Sequence, residues 1–426
     1  MRRRRGTAAA RLYELLRLVT GADVPVRLRA WDGTEAGPLD APVLVLRSRR
    51  ALRRLMWDPG ELGLGRAYVA GEVDSGGDLL EALGSAAELG EHIGRRPRLS
   101  LRDRGRLLGR AFLLGAVGPA PKPPPEEIRL HGEKHSKARD KLAVRSHYDV
   151  GNEFYRLVLG DSMVYSCAYW TRADDPSYTL DDAQQDKLDL VCRKLALHEG
   201  MRLLDVGCGW GSFAVHAARE YGVEVVGITL SEQQAEFAQK RVAEAALQDQ
   251  VDIRVQDWRD LTDPPFDAIS SIGMAEHVGE DRFSEYAGAL HDLLRPGGRV
   301  LNHQIAGRPG PTAKRRTFVD AYVFPDGDLL PLATVVSRLE RAGLEVRDVQ
   351  NLREHYSLTL RAWVANIERN WAACVRETSE GRARVWRLYM ALSAVGFDRG
   401  MIRVNQTLAV RPGPRGRTGI ALVRTT

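Results

Sequence analysis

The chain has 426 residues, 44% of them hydrophobic, and 62 Lys+Arg against 56 Asp+Glu give a net charge of +6. That length supports a large core and more than one domain, and the charge suits a negatively charged partner. The four scattered cysteines, Cys167, Cys192, Cys208 and Cys374, form no C-x-x-C pair, which argues against a disulfide framework or zinc cluster and for a reducing compartment.

The chain opens "MRRRRGTAAARLYELLRLVTG". Four arginines could begin a signal peptide, but Arg11, Glu14 and Arg17 interrupt any apolar core. No window is long and apolar enough to span a bilayer. Leu12, Leu15, Leu16 and Val19 share one helical face, which predicts a helix packed within a domain; the arginine cluster keeps open a basic segment resting on anionic lipid. Residues 1–115 mix short strand-like and helical runs and read as an N-terminal α/β accessory domain, a candidate for membrane or dimer contact. Five prolines in "GAVGPAPKPPPEE" mark 116–130 as a stiff linker. Residues 131–426 form the remaining domain.

From Met201 the pattern becomes strand–helix alternation. "MRLLDVGCGWG" is a buried strand entering a glycine turn, and "SFAVHAAREYG" is a helix ending at Gly222. "VEVVGITL" and "SEQQAEFAQKRVAEAAL" repeat the unit, with Ser231 as N-cap. "VDIRVQD", "FDAISSIG" and "RVLNHQI" are strands three to five, the last preceded by the helix "DRFSEYAGALHDLL". Repeated βα units imply an α/β fold with a doubly wound, mostly parallel sheet, and ligands beyond the carboxyl ends of its strands. Glu276 falls just past strand four. The tetrapeptide "DPPF", 263–266, precedes that strand and reads as a turn, which weakens a nucleic-acid methyltransferase reading.

"LLDVGCGWG" spaces Asp205, Gly207, Cys208, Gly209 and Gly211 as D-x-G-x-G, with no Walker lysine. With a strand before it and a helix after, it resembles motif I of class I S-adenosylmethionine-dependent methyltransferases. Strand two ends in Thr229, with Gln234 following, where that superfamily usually has an acid.

Three further stretches, "HYDVGNEFYRLVLGDSMVYSCAYW", "GMAEHVG" and "HYSLTLRAW", join "LDVGCGWGSFA" and "GITLSEQQ". Over roughly residues 130–410 the chain resembles the cyclopropane-fatty-acyl-phospholipid synthase family. The resemblance implies methyl transfer from S-adenosylmethionine to the double bond of an unsaturated, oleoyl-type phospholipid. It also implies a carbocation deprotonated by a bound bicarbonate ion. The positions that match the ion's holders are Cys167, Glu276, His303 and Tyr356, with the backbone of Ile305. Tyr165, Ser166, Gly207, Gly209, Thr229, Gln234 and Trp258 match cofactor-binding positions, and no metal is implied. Tyr148, Phe154, Tyr155, Tyr169, Trp170 and Trp363 are aromatic faces for a cation. His277, although adjacent to Glu276, is expected to shape the turn only.

Departures from the family pattern surround these positions: Gln304 after the histidine, "VFPDGDLLPL", and Arg353–Glu354 before "HYSLTL". They favour a 10-methylene product, the precursor of a methyl branch such as tuberculostearate, over a cyclopropane; an inactive lipid-binding homologue is the remote alternative. A saturated branch would need a separate reductase. Lys314, Arg315 and Arg316 read equally as a solvated loop or as a lid meeting headgroups. The expected setting is cytoplasmic, on the anionic inner face of the cell membrane, with no nucleic-acid partner.

Overall fold

Helical spacing of small and aliphatic residues places Ala8–Thr20 against a short sheet, with Leu12 and Leu15 buried and Val19 exposed. Strands β1 (Arg27–Arg29), β2 (Glu35–Ala36), β3 (Val43–Leu46) and β4 (Val73–Ser75) pair in the order β2-β1-β3-β4. Their core joins Leu12, Leu15, Leu28, Leu46, Ala51, Ala67 and Leu114. The computed structural model describes residues 6–21, 23–93, 105, 109–116, 118–148, 150–310 and 316–422. The arginines at 2–5 and the basic residues Lys314 and Arg315 lie outside the described residues.

The chain divides into two compact units, and the division differs from a simple linear one. The first comprises Met1–Ile128, Lys314–Val323 and Ser379–Val395. Two segments that the sequence assigns to the second domain therefore fold with the first. Ion pairs explain this: Glu127 accepts from Arg66 at 2.8 Å and from Arg316 at 2.7 Å. Arg384 donates to the Tyr68 and Val73 carbonyls and lies over the Tyr68 ring. Arg316 is thus bound within this unit, a role neither reading of the 314–316 cluster anticipated. The proline-rich stretch up to Ile128 belongs to the same unit.

The second unit carries β5 (Arg202–Val206), β6 (Glu224–Thr229), β7 (Val251–Val255), β8 (Phe266–Ile272), β9 (Leu294–Ala306), β10 (Glu345–Asn351) and β11 (Arg403–Val410). They form one sheet in the order β10-β11-β9-β8-β5-β6-β7. β5 to β9 run parallel to one another, and β11 runs antiparallel between β9 and β10. Successive residues alternate between two cores: Leu203 faces the helices Leu180–Leu195 and Ser212–Tyr221, while Leu204 faces Phe283–Leu293 and Leu332–Arg341. Burial of both faces is what a doubly wound sheet requires.

Candidate active site

The glycine turn leaves β5 with Gly207, Gly209 and Gly211 at φ +77°, +55° and +79°. The N–H groups of Gly207 and Cys208 both donate to the Ile228 carbonyl at 2.9 Å, which ties the turn to β6. A Cβ at Gly209 would meet no atom within 4 Å, so the backbone faces open space. At Gly211 it would lie 2.9 Å from the Ala238 Cβ; that glycine serves helix packing. The Cys208 side chain turns into the core behind the sheet.

Asp205 is buried, and Ser270 Oγ on neighbouring β8 donates to its Oδ1. Asp205 Oδ2 has no hydrogen-bond partner. Burial raises the Asp205 pKa to about 6, with Ser270 and Lys187 opposing. Lys187 is buried too and donates to Ser166 Oγ at 3.0 Å. Burial drives its pKa down to about 8. At the end of β6, Thr229 Oγ1 donates to Gln234 Oε1 at 2.8 Å, and Trp258 is buried against Tyr286.

A second cluster lies past β8 and β9. Glu276 is the second residue of the short helix Ala275–Val278, and its Oε1 accepts the Ile305 N–H at 2.8 Å. Glu276 Oε2 and His303 Nε2 are buried with no hydrogen-bond partner. Burial raises the Glu276 pKa to about 7 and lowers that of His303 to about 3. Cys167 is fully buried, its thiol pushed well up by burial, and Sγ lies 3.7 Å from the Leu352 carbonyl. That residue caps the helix bearing Tyr356, and its N–H donates to Val404, which pairs with Ile305. Four distant stretches of sequence thus converge through shared backbone contacts. His277 stands apart, edge-on to Phe324 at 5.5 Å.

Aromatic rings extend from this cluster. Tyr165 lies 5.5 Å from Trp363 and 5.8 Å from Tyr155, and Trp363 lies 6.1 Å from Tyr356. Tyr148 lies 6.3 Å from Tyr165, and Trp210 lies 4.6 Å from Tyr155. Tyr169 and Trp170 instead pack on His355 and Tyr178. Sequence reasoning missed Lys187, Trp210, Phe324 and Gln406. Of these, Gln406 carried a signal: it sits inside "NQT", a polar triplet in the middle of an apolar strand.

The family model for mycolic acid cyclopropane synthetase matches residues 135–407. The chain belongs to this family. "Probable fatty acid methyltransferase Rv3720" of Mycobacterium tuberculosis is 40% identical over 98% of this chain and 98% of its own length. "Tuberculostearic acid methyltransferase UfaA1" of the same organism is 32% identical, covering 96% and 92%. The mycolic acid cyclopropane synthase CmaA1, crystallised with SAH and CTAB, superposes with a TM-score of 0.60 at 36% identity. That match covers 63% of this chain and 97% of CmaA1. The methyltransferase unit is therefore of class I fold, and the protein is an S-adenosylmethionine-dependent methyltransferase. The sequence-based expectations of family, fold and enzyme class are met.

Proposed function

We propose that the protein methylates the double bond of an unsaturated fatty acyl phospholipid and gives a methylene-branched product. The observation that carries this reading is a buried carboxyl, Glu276, and a buried imidazole, His303, each with an unpartnered atom, past the end of β8 and on neighbouring β9.

S-adenosylmethionine supplies an electrophilic methyl group. The open backbone at Gly209 and the unpartnered Asp205 Oδ2 fit it. Tyr165, Ser166, Asp205, the glycine turn, Thr229, Gln234 and Trp258 would hold it. The alkene π electrons form the new C–C bond, and the S–CH3 pair stays on sulfur. The resulting cation needs aromatic faces and a nearby negative charge. Tyr165, Trp363 and Tyr356 provide the first. Bicarbonate supplies the base that removes a proton when bound; Cys167, Glu276, His303, Tyr356 and the Ile305 backbone would hold it. With such an ion bound, Glu276 Oε2 would accept its hydroxyl proton, while His303 and Tyr356 would donate.

A methylene product is favoured by the likeness to a tuberculostearic acid methyltransferase across nearly the whole chain, N-terminal unit included. A separate reductase would then saturate the branch. The cyclopropane reading draws on the family and on CmaA1, whose likeness covers the methyltransferase part. We place the protein at the anionic inner surface of the membrane, where Trp57, Phe112 and Leu113 are exposed on an arginine-rich first unit. No helix among the described residues is long and apolar enough to cross a membrane.

Incubation with S-adenosylmethionine and an oleoyl phospholipid tests the reading. An olefinic methylene proton signal is expected; cyclopropane proton signals would instead favour ring closure. No methyl transfer to any unsaturated lipid would overturn it.

A further inference from the structure

His303 and Gln406 are directly opposed across the antiparallel β9–β11 pair, so their side chains leave the same face of the sheet. That face is covered by the helix Leu180–Leu195. Lys187 and Lys194 sit two turns apart on this helix and share one side of it. Lys194 Nζ donates to Gln406 Oε1 at 2.7 Å and to Gln350 Oε1 at 2.6 Å. Asp348 lies 3.8 Å from the same ammonium. On the other side of the amide, Gln406 Nε2 stands 3.2 Å from His303 Nδ1.

The direction of every proton in this chain follows from valence. An ammonium has three donors and no acceptor, so only the amide oxygen can face Lys194. The amide nitrogen must then face His303, and it can only donate. His303 Nδ1 must therefore accept, which leaves the single ring proton of a neutral imidazole on Nε2. The assignment does not depend on how the amide was oriented, because the flipped amide would set NH2 against NH3+. Nε2 is the atom that is buried without a protein partner. The ring is neutral in this setting, since burial, Lys187 and Lys194 all disfavour its charge.

We propose that Gln406 and Lys194 are positioning residues that lock His303 as its Nε2–H tautomer, so that the ring presents a donor to the reaction site. The inference rests on the proposed function and deepens it. An Nε2–H can hold a bound anion; a bare Nε2 would oppose one with its lone pair. Glu276 and His303 are then assigned opposite work: one accepts at the site and the other donates. Neither ring nitrogen is left for proton abstraction, so His303 is not the base.

The test begins with the wild-type full chain labelled with 15N-histidine. A long-range 1H–15N spectrum separates the two neutral tautomers, and a His303→Gln sample identifies the signal. The expected result is the Nε2–H form. A Nδ1–H or doubly protonated His303 in the wild type would overturn the proposal. Gln406→Glu puts a carboxylate between Lys194 and the ring, which accepts from Nδ1–H and reverses the tautomer. That variant should lose turnover by roughly 10–100-fold, as second-sphere changes do, with S-adenosylmethionine affinity near wild type. Lys194→Arg keeps the donors and should retain most activity, whereas Lys194→Met should lose it. Full turnover in a Gln406→Glu protein whose tautomer has reversed would refute the role. Absence of lipid methylation by the wild type would instead defeat the proposed function and leave the tautomer measurement to stand or fall alone.

Discussion

Replacing Glu276 by glutamine separates what this carboxyl does for catalysis from what it costs the fold. Its pKa rises from 4.5 to about 7, chiefly by burial, with the Ile305 N–H opposing. Below pH 4.5 folded and unfolded chains both hold the proton, and the carboxyl carries no ionisation cost. Between pH 4.5 and about 7 the unfolded chain releases the proton while the folded site keeps it, so stability falls as pH rises. Above about 7 the site ionises as well, and the cost is complete. At 1.36 kcal/mol per pKa unit, that cost is about 3 kcal/mol. Glutamine has the same shape, keeps an oxygen for the Ile305 N–H and cannot ionise. Glu276→Gln should therefore be more stable than wild type by about 3 kcal/mol at pH 8.5, and equal to it near pH 4. Urea denaturation of the cofactor-free protein at both pH values measures this. Methyl transfer should fall by roughly 10²–10⁴-fold, while calorimetry shows little change in cofactor affinity. A variant less stable at pH 8.5, an advantage independent of pH, or full activity would refute the reasoning.

Gly209→Val fills the open space at φ +55° with a branched side chain; S-adenosylmethionine affinity should drop at least about tenfold by calorimetry, since close backbone approach is lost. Lys187→Met removes a buried ammonium whose pKa is lowered to about 8 by burial. Wild-type stability should contain a component that rises between pH 8 and 10.5, as the unfolded chain alone stays protonated, and the variant should lack it in denaturant titrations. Glu127→Ala removes the carboxylate that Arg66 and Arg316 share, leaving Arg66 with Asp58 and Arg316 with the Ile128 carbonyl; burial alone would raise this carboxyl's pKa, but the two guanidinium groups hold it below the ordinary value. Loss of about 1–3 kcal/mol is expected in the transition of the first unit, since both guanidinium groups keep a partner.

The central sheet was legible because its physics is local. Leu203 to Val206, Val225 to Ile228 and Ala268 to Ile272 are mostly apolar runs buried on both faces, each followed by a helix. Ser231 does accept the Gln234 N–H, and Gly222 does end its helix in the left-handed region. β10 and β11 escaped the reading. "EVRDVQN" is an edge strand, partly exposed along its length, and "RVNQTLAV" buries Asn405, Gln406 and Thr407 where hydrophobic patterning expects aliphatic residues. The same polarity that hid β11 as a strand is what places Gln406 opposite His303. The assignment of Lys314–Val323 and Ser379–Val395 to the first unit was equally invisible, because it rests on Glu127 meeting Arg66 and Arg316, and on Arg384 meeting Tyr68.

Glu276 and His277 show why adjacency in sequence is a poor guide to partnership. Both sit in one short helix, where consecutive side chains diverge by about 100°. Glu276 reaches the Ile305 N–H on β9, and His277 reaches the Phe324 ring. A hydrogen bond to a β9 backbone group also fixes how far the carboxyl can lie from His303, two residues earlier on the same face. The imidazole on β9 and the acid in the short helix just past β8 are brought together by the register of those two strands, Ile272 against His303. The sheet thus supplies the rigidity that a reacting cation demands of the groups facing it.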